Sequence, residues 1–223
     1  MAQETITTPE AAERRLKMTY DEFLAWADED IHAEWVDGEV TVFVPPSIRH
    51  QDLVLFLGSL LSWYARALGL GRVMVAPFEM RLAPGQASRE PDLLFVTRSH
   101  TDRLAPARLE GPADLVMELI SDSSVARDRD DKFYEYQDAG IPEYWVIDPR
   151  SGKERVDLFA LSPKGKYEAV LPDAEGRYCS LALTGFWLHP DWLWQDPLPN
   201  PLVLLQEIAP QTVRAALGLD AGS

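Results

Sequence analysis

Two carboxylates and a lysine are the residues of this chain best placed to do chemistry. Asp92 opens the apolar run Pro91-Asp92-Leu93-Leu94-Phe95-Val96. Glu118 lies near the end of a second run, Asp114-Leu115-Val116-Met117-Glu118-Leu119-Ile120, and Lys132 follows in a stretch with helical spacing. Both runs read as buried strands, where an unpaired charge is expensive. Acids kept there point to a hard divalent cation, which prefers oxygen ligands. Phosphodiester hydrolysis asks for an activated water and for neutralisation of charge on the phosphate and the leaving oxygen. An Asp and a Glu on adjacent strands can hold a cation at a sheet edge. The backbone carbonyl of Leu119 can add a third ligand, and a lysine close by can orient the water. Taken singly, Asp92 could cap a strand and Glu118 could pair with an arginine. Taken together, each acid needs a buried partner.

Several elements must position these groups. Residues 1 to 17 are polar and read as a loose tail or frayed helix. Thr19, with Glu22 three residues on, forms a capping box for a helix through Phe23, Leu24 and Trp26. Asp37-Gly38 between β-prone runs marks a hairpin, stopped by Pro45-Pro46-Ser47. Leu53, Leu57, Leu60, Leu61, Tyr64 and Leu68 recur at helical spacing over residues 49 to 68, and Gly69 and Gly71 end that helix. Arg72 to Leu82 reads as one strand and Pro84-Gly85-Gln86 as a turn. The Asp92 strand, a polar loop over 98 to 112 and the Glu118 strand follow. Ser121-Asp122-Ser123-Ser124 offers N-caps for a helix from about 125 to 139, closed by Gly140. Glu143 to Ile147 is a further strand. A hairpin spans 154 to 160 and 166 to 171 around Pro163-Lys164-Gly165. Beyond Pro197, Leu202 to Leu217 reads as one amphipathic helix, or two broken by Pro210. The order predicts an α/β or α+β domain with a mixed sheet. Its expected limits are 18 to 197, with a C-terminal extension over 198 to 223.

Composition narrows the setting. The chain has 223 residues, 46% of them hydrophobic, enough for one well-packed core. No uninterrupted apolar stretch is long enough to span a membrane, and the N-terminus has neither the basic nor the apolar region of a signal peptide. Cys179 stands alone, which excludes a disulfide framework or a thiolate metal cage and fits a reducing cytoplasm. The net charge of -15 argues against non-specific nucleic-acid binding, although a local basic patch can hide in an acidic total. Its plain reading is a solvated surface that favours solubility.

The motifs, in their order, resemble the Uma-two family of restriction-endonuclease-like proteins, a branch of the PD-(D/E)XK nuclease superfamily. The resemblance spans roughly residues 18 to 196. It is carried by Met18-Thr19-Tyr20-Asp21-Glu22-Phe23, by Ala33-Glu34-Trp35-Val36-Asp37-Gly38-Glu39 and by Pro45-Pro46-Ser47-Ile48-Arg49-His50. It continues through Pro91-Asp92-Leu93-Leu94-Phe95-Val96, Glu118-Leu119-Ile120-Ser121, Arg127-Asp128-Arg129-Asp130-Asp131-Lys132 through Tyr136, and Gly140 to Pro149. It implies a mixed sheet flanked by helices, with Asp92 and Glu118 binding Mg²⁺ or a similar ion such as Mn²⁺. The superfamily's usual lysine position, two residues after the Glu, is Ile120 here. The family carries its lysine on the next helix, where Lys132 stands. It also implies a nucleic-acid substrate, DNA above RNA, and a homodimer, for which Leu202, Val203, Leu204, Leu205 and Ile208 could supply an interface, or could equally pack on their own domain.

Around that core the residues leave alternatives. Asp128 and Lys132, four apart, form either a surface salt bridge or a pair in which Asp128 steadies a lysine aimed at the metal site. Glu34 is a further metal-side carboxylate or a hairpin surface residue. His50 is a cap, a packed residue or a cleft residue. Arg127 and Arg129 contact phosphate or balance nearby acids. The tryptophans read as core. Beside an endonuclease, a non-catalytic nuclease-fold binding module and a metal-dependent hydrolase of small phosphoesters stay open.

Overall fold

The computed structural model describes residues 14–27, 33–42, 46–83, 87–121, 124, 127–216 and 218. In chain order the first elements are β1 (Arg14–Lys17), α1 (Tyr20–Trp26), β2 (Ala33–Val36), β3 (Glu39–Val42) and α2 (Ile48–Ala67). Next come β4 (Gly71–Val75), β5 (Glu79–Arg81), β6 (Ser88–Arg89), β7 (Leu93–Thr97), β8 (Arg108–Glu110) and β9 (Leu115–Leu119). A π-helical turn (Arg127–Asp131) leads into α3 (Lys132–Asp138), followed by β10 (Glu143–Asp148), β11 (Arg155–Leu161) and β12 (Tyr167–Val170). The last elements are β13 (Tyr178–Cys179), β14 (Trp187–Leu188), α4 (Pro201–Ile208) and α5 (Pro210–Ala216).

The strands form two six-stranded mixed sheets and a small β13–β14 ladder. The first sheet runs β1-β3-β2-β6-β5-β8 and the second β12-β11-β10-β9-β7-β4. In the second sheet β7 lies antiparallel to β9, and β9 parallel to β10. Strand alternation sorts its side chains onto two faces. Leu93, Phe95, Leu115, Met117, Leu119, Trp145 and Ile147 join α2 and α4 in the larger core. Leu94, Val96, Val116, Ile120, Tyr144 and Val146 pack with Tyr136 of α3 and with Met80 and Leu109 of the first sheet. Asp92 and Glu118 share the parity of this second face.

Local signals set much of this. The Thr19–Glu22 capping box is formed, and the Ser47 side chain accepts from the His50 N–H to start α2. Asp37 and Gly38 both adopt positive φ, as a tight hairpin with right-handed strand twist demands.

Four expectations change. The expected tail ends early, because Arg14–Lys17 pairs with β3. The single strand over 72 to 82 is two, in different sheets, because Pro77 interrupts it and cannot donate to a ladder. The polar loop over 98 to 112 contains β8, which pairs parallel to β5. The carboxylate strands are interior rather than at an edge. Of the two C-terminal alternatives, the chain takes two helices broken at Pro210. The Pro84-Gly85-Gln86 turn lies outside the described residues.

Candidate active site

Register brings the two acids together. Leu93 pairs with Met117 and Leu94 with Val116, so the same ladder continued one step sets Asp92 opposite Glu118. The Asp92 carboxylate reaches across the gap: its Oδ2 accepts the Leu119 N–H at 2.7 Å. Its Oδ1 lies 3.2 Å from His50 Nε2. The structure thus shows the Leu119 amide, rather than its carbonyl, meeting Asp92.

The π-helical turn and α3 then swing Lys132 over the same spot. Its Nζ lies 3.0 Å from Glu118 Oε1, 3.2 Å from Glu34 Oε1 and 3.3 Å from Asp128 Oδ1. The ammonium donates a hydrogen bond to Glu118, and Glu34 and Asp128 face it as ion-pair partners. All four side chains are buried, so Asp128–Lys132 is no surface bridge and Glu34 no surface hairpin residue. Tyr136, one turn on, donates its phenol to Glu118 Oε1 at 2.8 Å. Both hydrogen bonds to Glu118 therefore fall on one oxygen, and Oε2 accepts none among the described residues. Asp92 and His50 are the least buried members, at 15% and 14% side-chain exposure, and form the mouth of the cluster.

Electrostatics show what the cluster lacks. Burial pushes the Glu118 carboxyl well above the carboxylate range; Lys132 pulls it back, but Asp128, Asp92 and Glu34 push the same way as burial. Burial also raises Glu90, next to Glu34, to about 8. Burial works against the Lys132 charge, yet Glu118, Glu34 and Asp128 outweigh it and keep the amine protonated. His50 behaves alike: burial lowers it, and Asp92 and Asp128 more than reverse this. The site holds more carboxylates than cations to match them. Among the described residues no three His, Cys, Asp or Glu side chains form a ready ligand shell, because Lys132 stands among them. The donor chemistry still fits a hard cation: facing Asp and Glu oxygens, surplus negative charge and an uncommitted Glu118 Oε2.

The arginines divide differently. Arg129 donates to Asp157 Oδ2 at 2.7 Å and lies 3.7 Å from Asp148, so its geometry matches the charge-balancing alternative. The Arg127 side chain lies outside the described residues. Trp145 is fully buried and Trp35 and Trp192 nearly so, as core residues. Arg89 carries no sequence signal. Tyr136 ends the Lys132 motif and lies one helical turn from that lysine, which places it nearby without giving it a role.

The family model described as "Uma2: Putative restriction endonuclease" matches residues 20–191. The chain belongs to the Uma2 family. That match contains Glu34, His50, Asp92, Glu118, Asp128 and Lys132. Among solved structures, a protein of Anabaena variabilis ATCC 29413, titled a "putative nuclease belonging to DUF820", is similar at a TM-score of 0.61. The two share 18% identity over 78% of this chain and 96% of that one, a likeness of fold. No curated protein matches the chain. The Uma2 fold here is the mixed α+β arrangement expected of a restriction-endonuclease-like domain, and no described helix is long and apolar enough to cross a membrane.

Proposed function

We propose that this Uma2 protein is a Mg²⁺-dependent endonuclease that hydrolyses phosphodiester bonds in nucleic acid, DNA foremost, with Mn²⁺ able to replace Mg²⁺. The observation that carries this reading is the convergence of Asp92, Glu118 and Lys132 at facing strand ends. Asp92 and Glu118 would hold the cation, with the Leu119 carbonyl as a further ligand. When bound, the cation supplies charge neutralisation at the phosphate. Lys132 is protonated and held, so it can donate a hydrogen bond that orients the attacking water. Glu34 and Asp128 keep its ammonium in place, and His50 holds Asp92. Cutting both strands of a duplex takes two such sites, so the reading includes a homodimer. Exposed Leu202 and Val203 on α4 supply apolar surface for it. The lone Cys179 suits a cytoplasmic setting.

The deciding experiment is cleavage of plasmid and oligonucleotide DNA with Mg²⁺ or Mn²⁺ by wild type and Asp92→Ala. Wild type is expected to cut and the variant to lose at least 100-fold in rate (about 3 kcal/mol or more). Equal cleavage by both sinks the reading. The charge of -15 favours a second reading, hydrolysis of small phosphoesters. Turnover of a small phosphodiester with no cleavage of DNA would select it.

A further inference from the structure

We propose that Arg89 and Glu135 are positioning residues that act on the reaction through Lys132; this rests on the reading of Lys132 as the group that orients water. A lysine on a helix has a handicap that a lysine on the metal-bearing strand lacks. Its place depends on how the helix is seated, and its four-carbon stem is flexible. Something must fix α3 to the sheets. One contact that does so is a buried arginine. Arg89, on β6 of the first sheet, donates from Nε and NH2 to Glu135 Oε2 and Oε1 at 2.8 and 2.7 Å, a two-pronged bond to α3. Its NH1 donates to Glu34 Oε2 at 2.8 Å.

Each end of this bridge bears on Lys132. Glu135 lies three residues after Lys132, within one helical turn, so anchoring it seats the turn that carries the amine. Glu34 turns its other oxygen, Oε1, towards Lys132 Nζ at 3.2 Å and also accepts the Glu90 N–H there at 3.1 Å. Arg89 therefore holds both an acceptor of the ammonium and the helix beneath it. Its side chain is 6% exposed, so the planar two-pronged bond is shielded from water. Among the described residues neither makes a hydrogen bond or ion pair with Asp92 or Glu118. Their loss should disturb the lysine and spare the cation.

Full-length protein with Glu135→Gln tests this, because the change removes charge from a partly exposed group and keeps its shape. Arg89→Lys is the second variant: it keeps the charge and loses the fork. Both should lower kcat about 10- to 100-fold, the range for residues that hold a functional group in place. KM and the calorimetric Mn²⁺ affinity should stay within about threefold, by the same distinction between ligand and support. In a Lys132→Ala background, Glu135→Gln should cost less than about twofold, since a residue acting through the lysine has nothing left to act on. A second readout needs no turnover. Reductive methylation followed by peptide mapping should leave Lys132 unmodified in wild type while exposed Lys153, Lys164 and Lys166 react. In both variants Lys132 should become reactive. Undiminished protection of Lys132, a full additive loss in the Lys132→Ala background, or an equal fall in Mn²⁺ affinity would overturn the proposal. Newly reactive Lys132 in a wild-type background that cuts no substrate would uphold the clamp and sink the nuclease reading instead.

Discussion

Glu118 shows why a carboxylate in an apolar strand carries information. It is fully enclosed, and the structure gives it one ammonium and one phenol, both on Oε1. Burial keeps the Tyr136 phenol protonated, so it is a permanent donor to that oxygen. Outer partners of this kind orient a ligand carboxylate, and removing one typically weakens metal binding 10- to 100-fold. Tyr136→Phe should therefore lower calorimetric Mn²⁺ affinity about tenfold while the fold persists. Unchanged affinity would show that Tyr136 does not orient Glu118. The sequence made Asp92, Glu118 and Lys132 legible because their types are wrong for their surroundings. It left Arg89 silent and gave Tyr136 no role beyond closing the Lys132 motif. A tyrosine in an apolar helix face is ordinary, and an arginine before Glu90-Pro91 gives no hint that its partners lie 55 and 46 residues away.

Elements with strong local signals were legible almost to the residue, among them α1 with its capping box, the Asp37-Gly38 hairpin, α2 and the β11–β12 pair. The short strands β6 and β8 were not, because two or three residues carry no periodicity and exist only through their neighbours in the first sheet. That sheet supplies Glu34, on the legible hairpin, and Arg89, which depended on pairings the sequence does not display. The end of β10 holds a shorter-range bond, between residues two apart. Burial alone would raise the Asp148 carboxyl; the Arg150 hydrogen bonds at 2.8 and 2.7 Å, with Arg129 beyond, outweigh it and hold it below its usual value. In the unfolded chain this group takes up its proton at higher pH than in the fold. The stability it contributes is thus present above the usual aspartate value of about 4 and is lost as pH falls through the lower folded value. Asp148→Asn should lower Tm at neutral pH by about 2–4 °C, corresponding to about 1 kcal/mol for a chain of this size. The gap should close in acid. A gap constant from pH 7 down to pH 2 would show that the charge pair is not its source.

The whole molecule has to meet a polyanion with a net charge of -15. Among the described residues, four arginines are already committed to acids. Arg89 is bound to Glu34 and Glu135, Arg129 to Asp157, Arg150 to Asp148, and Arg155 to Asp157. Arg89 ties the first sheet to α3, and these carboxylate partners leave the four cations little for phosphates. Non-specific affinity for nucleic acid comes from counterions released as basic side chains replace them, with a log–log salt slope of about -0.9 per phosphate contacted. A protein that contacts six to ten phosphates loses about 10³- to 10⁵-fold in affinity between 50 and 200 mM salt. This one should lose about tenfold or less, the equivalent of one or two contacts. Fluorescence anisotropy of a labelled duplex with metal-free protein over that range measures the slope directly. A slope steeper than about -5 would reveal a basic face of the ordinary kind. A shallow one, alongside cleavage, would mean that capture of substrate depends on the divalent cation itself. The surplus carboxylates around Asp92 would then be the reason the chain can afford so acidic a surface: with the cation in place, the one attractive spot for a phosphate coincides with the place where it is cut.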